Sequence, residues 1–554
     1  MQNSNLNYRN HNFDSGPTFW IVLISALAMQ LIAYDQTVNL YDEGIILTGA
    51  DSVFRGKLPY KDFWTMYGPG SFYLASFLFS VFEPSDFLVR AIGIISKSTI
   101  VALVFLSITR LANKSLALAG SAIILGMLIE LRQDAFPVFP AIALALGAII
   151  FLEQGLDSRP KNFAAAGVCT GLAACFRHDM GFYLALAATL SILLDFIFIS
   201  PETKKPQARI IFAKKMGLYV LGILSIDLPV VGFFIHSVPL SDLYENLILI
   251  PSSIYPGMRH LPWPGLDGIK GVLSHPGDIT QFVVYVPFLA CIPIIVSDIF
   301  QPKGIDNPPD SLGKSVRPVS FFLLITSCTC LLFTLKGLIR VSAIHMVQSL
   351  TLSVPLILIS LSRRNWKNRP KTILILISLI PSLALLVSLS IPGFKTTKDG
   401  IKELAFSKAN LITRCTNPSL PTLRCTSTDH DYINAAIYVR EHTTSDDRIY
   451  VGVGRHDKIF INAVAFYFFS ERQPVTKWYE LHPGIQTQAR IQAEMISEME
   501  NNPPKMIILD ERWDKVEEPN LSKTSSGVNL LDDYLKNKYA EKIRFGPIRI
   551  LAYK

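Results

Sequence analysis

The chain has 554 residues, half of them hydrophobic and only 17% charged, well below the roughly 25% charged residues of a soluble domain. A single soluble core rarely grows past about 250–300 residues, so more than one unit is expected. The net charge of +8 does not indicate a nucleic-acid partner, because the Lys and Arg residues sit largely in short loops between apolar runs, where they set topology beside a lipid bilayer.

Residues 1–16 are polar and read as a cytoplasmic tail. The apolar run Thr18–Ala33 lacks a following small-residue cleavage site, so it reads as a retained anchor. A spanning helix needs about 20 apolar residues. About eleven candidates follow, at 17–34, 88–109, 115–131, 135–153, 163–178, 180–199, 216–237, 279–300, 318–335, 341–361 and 372–391. The run 71–82 is apolar but short and reads as an interfacial or re-entrant helix. Alternate loops carry the basic residues: Arg110 and Lys114; Arg159 and Lys161; Lys204 to Lys215; Lys303, Lys314 and Arg317; Arg363 to Lys371. These loops are expected inside, which puts residues 393–554 outside. The expected architecture is a polytopic α-helical membrane module at 17–392, with a first outer loop at 35–87, and an extracytoplasmic domain at 393–554.

That last segment alternates helix and strand patterns: helices at 431–442, 486–499 and 530–539, strands at 448–453, 505–509 and 549–552. It reads as an α/β domain. Gly452 and Gly454 form a lone Gly-x-Gly after a strand, which reads as a turn and not as a dinucleotide fingerprint. His456 and Asp457 beside Arg455 read as a polar turn after that strand. Five cysteines lie in apolar runs as small core residues. Cys415 and Cys425 lie in a polar outer stretch and are disulfide candidates, implying an oxidising compartment. No Cys-x-x-Cys or ligand cluster suggests zinc, and no other metal or cofactor is indicated.

The stretch DQTVNLYDEGIILTGADSVFRGKLPYKDFWTMYGPG, residues 35–70, holds the chemistry-bearing residues. Asp51, Arg55 and Lys57 read as solvated. The adjacent pair Asp42-Glu43 lies close to the membrane, where carboxylates are costly unless used or paired. YDEG, RGKLPYKDF and YGPG together resemble the first external loop of the polyprenyl-phosphate-dependent GT-C glycosyltransferases, such as protein O-mannosyltransferases and lipid A aminoarabinose transferases (family 39-like). Gly56, Tyr60, Asp62 and Pro69 fit the later positions of that pattern. Its His-Pro-Pro turn is replaced here by Tyr67-Gly68-Pro69-Gly70. The resemblance implies a GT-C-like fold, Asp42 as general base, Glu43 orienting base or acceptor, and substrate contacts from Tyr60, Asp62 and Tyr67. It also implies a polyprenyl-phosphate-linked sugar as donor, at the plasma (inner) membrane. The acceptor is left open between glycan, lipid and protein.

A lipid phosphate leaving group needs cations at the outer helix ends. Arg340 and His345 are the first candidates, then Arg132, Arg177 and Arg259. Asp134 and Asp179 are second acids or partners of the neighbouring arginines, and His260 lies in a long outer loop that could cover the acceptor or lipid. Each cation could instead snorkel or form an interfacial ion pair. The rival functions are a transporter or flippase, which would place ionisable groups near the bilayer midplane in symmetric halves, a glycan polymerase or ligase, and an inactive scaffold.

Overall fold

The computed structural model describes residues 16–156, 159–199, 207–265, 268, 275–296, 316–362, 369–406 and 417–554. Residues 1–15 of the expected tail, Cys415 and parts of the basic loops lie outside the described residues.

Each expected span coincides with a helical segment. Eight are long and apolar enough to cross a membrane by length and composition. They are α4 (Asp86–Leu111), α5 (Lys114–Leu131), α6 (Val138–Gly155), α8 (His178–Leu194, continued by a π-type turn to Ile199), α9 (Ala208–Ser237), α12 (Val286–Ile294, preceded by a 3-10 stretch), α13 (Val316–Gly337) and α15 (Arg369–Phe406). The other three, α1 (Gly16–Ile32), α7 (Lys161–Phe176) and α14 (Val347–Ser362), have 17, 16 and 16 residues, and two one-turn helices, α10 (Leu240–Tyr244) and α11 (Tyr255–Arg259), lie between α9 and α12. Among the described residues, eight of the eleven expected spans therefore meet that length and composition, and three are shorter helices. Small residues set the closest packing. A Cβ on Gly167 of α7 would lie 2.1 Å from the Tyr219 carbonyl of α9, and one on Gly222 would lie 2.2 Å from the Ala164 carbonyl. Among the lipid-facing helices, where apolar burial gives no drive, such close backbone approach is the usual source of contact energy.

Two boundaries differ from expectation. The last span does not stop near residue 391; α15 runs 38 residues, through Pro381 and Pro392, to Phe406. The stretch 35–70 is not an open loop. Residues Asp42–Phe54 form helix α2, and α3 (Gly70–Val81) follows as the expected short apolar helix. Asp51 is consequently buried, bound to Arg55 at 2.9 Å and to Gln473 at 2.6 Å, and is not solvated.

The C-terminal domain, expected outside and for that expectation named the outer domain, carries a five-stranded sheet in the order β2-β1-β3-β5-β4. Strands β1 (Arg448–Val453), β2 (Gln473–Pro474) and β3 (Met506–Asp510) are parallel; β4 (Tyr539–Phe545) and β5 (Ile548–Tyr553) form an antiparallel hairpin on the β3 edge. Its helices are α16 (His430–Glu441), α17 (Ala465–Ser470), α18 (Ala489–Asn501) and α19 (Leu530–Lys538). β2, β4 and α17 were missed by the sequence patterns because they are short or largely polar. Cys425 is disulfide-bonded.

The outer domain is not a separate body on a stalk. One hydrophobic core joins Ile45, Leu47, Phe72 and Phe79 of α2 and α3 to Ile449, Val451, Val464, Phe466 and Ile550. Gly44 is required at this seam, since a Cβ there would sit 2.3 Å from the Ala465 nitrogen. The sheet domain thereby fixes the angle of α2, and α2 carries the Asp-Glu pair at its first turn.

Candidate active site

Asp42 and Glu43 open α2, where a helix N-terminus favours negative charge. Asn39 organises both. Its side-chain amide donates to Asp42 Oδ2 at 3.1 Å, its carbonyl oxygen accepts from the Asp42 nitrogen at 2.9 Å, and its backbone nitrogen donates to Glu43 Oε2 at 3.2 Å. The two carboxylates then diverge. Glu43 is clamped by Arg90 of α4, with Nε 2.5 Å from Oε1 and Nη2 2.7 Å from Oε2. Arg90 also donates to the Asp35 and Thr37 carbonyls. Glu43 thus anchors the entry loop to the membrane helix, which uses both its oxygens. Asp42 has no such cation. It lines a cavity of ≈ 110 Å³ with Glu43, Arg90, Arg132, Gln133 and Asp134. Burial raises the Asp42 pKa, against the pull of Asn39, Arg259, Arg340 and Gln133.

The α5–α6 turn closes that cavity. Arg132 and Gln133 have φ of 51° and 59°, a conformation that non-glycine residues adopt at some cost. The turn presses on α4 at Gly93, where a Cβ would fall 1.5 Å from the Asp134 carbonyl oxygen. That contact places Asp134 2.6 Å from Lys97 Nζ and Arg132 3.1 Å from Asp35. Arg90 and Lys97 stand seven residues apart, two turns on one face of an apolar helix. Intramembrane charges at that spacing are the sequence signal that could have found them.

The remaining cations group around the break between α13 and α14. Residues 338–346 are irregular, so Arg340 and His345 are not on one helix. Arg340 makes a two-pronged pair with Glu518 of the outer domain, at 2.9 and 2.5 Å, and Arg259 approaches the same carboxylate at 3.2 Å. Arg259 is 6% exposed and rests on the Phe460 ring. His345 shares a 2.7 Å hydrogen bond with Ser342. Burial, helped by Lys336, Arg340 and Arg259, pushes its pKa down to about 3. It is therefore neutral at physiological pH and contributes a hydrogen bond, not a charge.

Arg177 pairs with Asp179 at 3.0 and 2.6 Å and lies over the Tyr67 ring. Tyr67 is half-buried and feels both Asp42 and Glu480. Tyr60 and Asp62 are not at the cavity. The Tyr60 hydroxyl donates to the Tyr67 carbonyl at 2.7 Å, and Asp62 accepts from the Leu58 nitrogen at 2.7 Å. Their polar atoms shape the turn that delivers Tyr67. His260 is exposed, and its neighbour Arg259 carries the buried contact. In the outer domain, His456 is buried between Tyr450 and Asp532, at 2.7 Å from each, which joins the turn after β1 to α19. Asp457 pairs with Arg455 there. Among the described residues no group of three His, Cys, Asp or Glu is placed to hold a metal ion.

Sequence reading missed Arg90, Lys97, Glu518, Glu480 and His482. The last three come from outer-domain loops and carry no motif.

A bundle of apolar helices with a sheet domain packed over the helix that carries Asp42 and Glu43 is a GT-C-like membrane fold, and the solved structures below share it. Residues 67–231 match the family described as dolichyl-phosphate-mannose-protein mannosyltransferase, a stretch that takes in Tyr67, Arg90, Arg132 and Arg177. Among solved structures, ArnT from Cupriavidus metallidurans bound to undecaprenyl phosphate superposes with a TM-score of 0.52 at 11% identity, covering 97% of this chain and 98% of that one. Archaeal oligosaccharyltransferase AglB from Archaeoglobus fulgidus, in complex with an inhibitory peptide and a dolichol-phosphate, superposes at 0.50 with 12% identity, covering 97% and 74%. No curated protein sequence matches the chain.

Proposed function

We propose that the protein is an inverting glycosyltransferase that moves a sugar from a polyprenyl-phosphate carrier to an envelope glycan, lipid or protein acceptor at the outer face of the plasma (inner) membrane, with Asp42 as general base. The observation that carries this reading is the contrast within one helix turn: Glu43 is fully paired, whereas Asp42 lines a cavity within electrostatic reach of Arg259 and Arg340. Asp42 takes the proton of the acceptor hydroxyl or amine as that atom attacks the anomeric carbon. The bond from that carbon to the phosphate oxygen breaks on the opposite face, and the lipid phosphate leaves with the electron pair. Arg340 and Arg259 hold the departing phosphate, and charge-assisted, forked hydrogen bonds suit that role. Residues Arg177, Arg132 and Lys97 are already neutralised by Asp179, Asp35 and Asp134. A transporter reading fits less well, because the charged groups cluster under the outer domain. The direct test is transfer from a glycosylated undecaprenyl phosphate in membranes. Undiminished transfer without any lipid-linked donor would sink the reading.

Glu518 occupies the arginine pair that a phosphate would need. Glu518→Gln is expected to tighten undecaprenyl phosphate binding several-fold, while Arg340→Ala weakens it about tenfold or more, in line with about 1.5–3 kcal/mol for a charged hydrogen bond. Equilibrium binding to the purified protein checks both. Topology is checked by a reporter fused at residue 554, which is expected to report an extracytoplasmic location; a cytoplasmic signal contradicts the orientation.

A further inference from the structure

Buried polar atoms nearly always find a hydrogen-bond partner. Several here do not: Glu480 Oε2, the indole Nε1 atoms of Trp64 and Trp478, and Nε of Arg259. The first three belong to one contiguous cluster. Trp64 stacks on Trp478 with ring centroids 5.8 Å apart and meets His482 edge-on at 5.4 Å. His482 Nε2 shares a 2.7 Å hydrogen bond with Glu480 Oε1, and the Tyr41 hydroxyl lies 2.9 Å from the same nitrogen. Glu480, Trp64 and Trp478 are 0%, 2% and 3% exposed.

The cluster has charged neighbours of both kinds. Asp42 acts on Glu480, while Arg259 and Arg340 act on His482. His482 meets Tyr41, the residue before Asp42, at 2.9 Å and the ring of Tyr255, on the same short helix as Arg259, at 5.7 Å, so the cluster flanks the interval between the base and that arginine. In an in-line displacement the transferred sugar occupies that interval, bonded to the phosphate and facing the acceptor. We infer that Glu480, with the indole N–H groups of Trp64 and Trp478, forms the subsite for this sugar, Glu480 Oε2 accepting one of its hydroxyls. The inference rests on the donor assignment above. The electrostatics agree with it. Burial and Asp42 raise the Glu480 pKa well above the carboxylate range, and burial with the two arginines lowers that of His482. With Oε1 engaged by His482, Oε2 is left as a bare acceptor. Two indole donors beside it complete a set that a polyhydroxylated ring can satisfy. A site built to hydrogen-bond a hydroxyl discriminates strongly against a ligand that lacks it, because its own buried groups then stay unpaired.

The test compares binding of undecaprenyl phosphate with binding of its glucosyl and mannosyl derivatives, using the full-length protein in detergent. Wild type is expected to bind at least one glycosylated carrier more tightly than the bare carrier. Glu480→Ala and Trp478→Phe are each expected to cut that advantage about tenfold for the former and severalfold for the latter, with bare-carrier affinity unchanged. Glu480→Gln, which keeps an acceptor oxygen, is expected to retain the advantage. Trp478→Phe keeps the stacked ring and so guards against misfolding of the alanine variant. Equal losses for bare and glycosylated carriers, survival of the advantage in both variants, or no advantage in wild type would each overturn the subsite. Failure of wild type to bind the bare carrier would instead overturn the donor assignment.

Discussion

Asp42→Asn is expected to lower sugar transfer by about 10²–10⁴-fold, the usual contribution of a positioned base, while leaving binding of undecaprenyl phosphate intact. Asparagine keeps the shape and the contact with Asn39 but cannot take a proton. The loss should therefore appear in kcat, not in the affinity for the donor. The wild-type pH profile follows from the same group. A base acts when ionised, so activity falls as pH drops through its folded-state pKa. Burial raises that pKa, which places the acidic limb above the ordinary carboxylate value of about 3.9. Full transfer by Asp42→Asn, or an unchanged acidic limb in a variant that still turns over, would remove Asp42 from the chemistry.

The second large effect concerns Glu43, and it should appear in stability. Side chains of Glu43 and Arg90 are 5% and 4% exposed. Removing one partner of such a pair leaves the other charged and buried, at a cost of about 3–5 kcal/mol. Glu43→Ala is thus expected to give little folded protein and a much lower thermal midpoint in detergent. The double variant Glu43→Leu with Arg90→Met, which removes both charges and keeps volume, is expected to recover much of that loss, because replacing a buried pair by apolar groups is often near neutral. If Glu43 acted chiefly on the acceptor, the single variant would fold normally and lose transfer, and the double variant would recover nothing.

Most of the membrane module was legible in the sequence because the bilayer imposes a one-dimensional rule: a helix that spans lipid must be apolar along its whole length. The first and ninth spans were found within a few residues for that reason. The end of α15 was not, since its outer turns, Lys395 to Phe406, carry ordinary soluble composition and keep their helical form on the domain side. In the outer domain, β1 was found at its observed bounds because RIYVGV is a compact apolar run. Strand β4, YAEKIRF, escaped because it lies at the sheet edge and shows polar residues on both faces.

The candidate site divides in the same way. Asp42-Glu43 could be singled out from composition, since two adjacent acids beside a membrane are conspicuous. Their separate roles could not, because the choice is made by Arg90, 47 positions away, and by the cavity left beside Asp42. Tyr60 and Asp62 were expected as ligand contacts, and their hydrogen bonds close within the loop.

By itself, the sequence determined that the chain crosses a membrane many times, carries an α/β domain after the last span, and offers an acidic pair behind its first helix. These follow from local composition and short-range periodicity. Only the tertiary structure decided that Glu43 is spent on Arg90, that Arg340 and Arg259 converge on Glu518, and that Tyr41, the neighbour of Asp42, meets His482 and through it Glu480. Tyr41 and His482 lie 441 positions apart in the chain. Contacts at that separation exist because α2 and the sheet share one apolar core, and no local pattern encodes which polar groups that core will bring together.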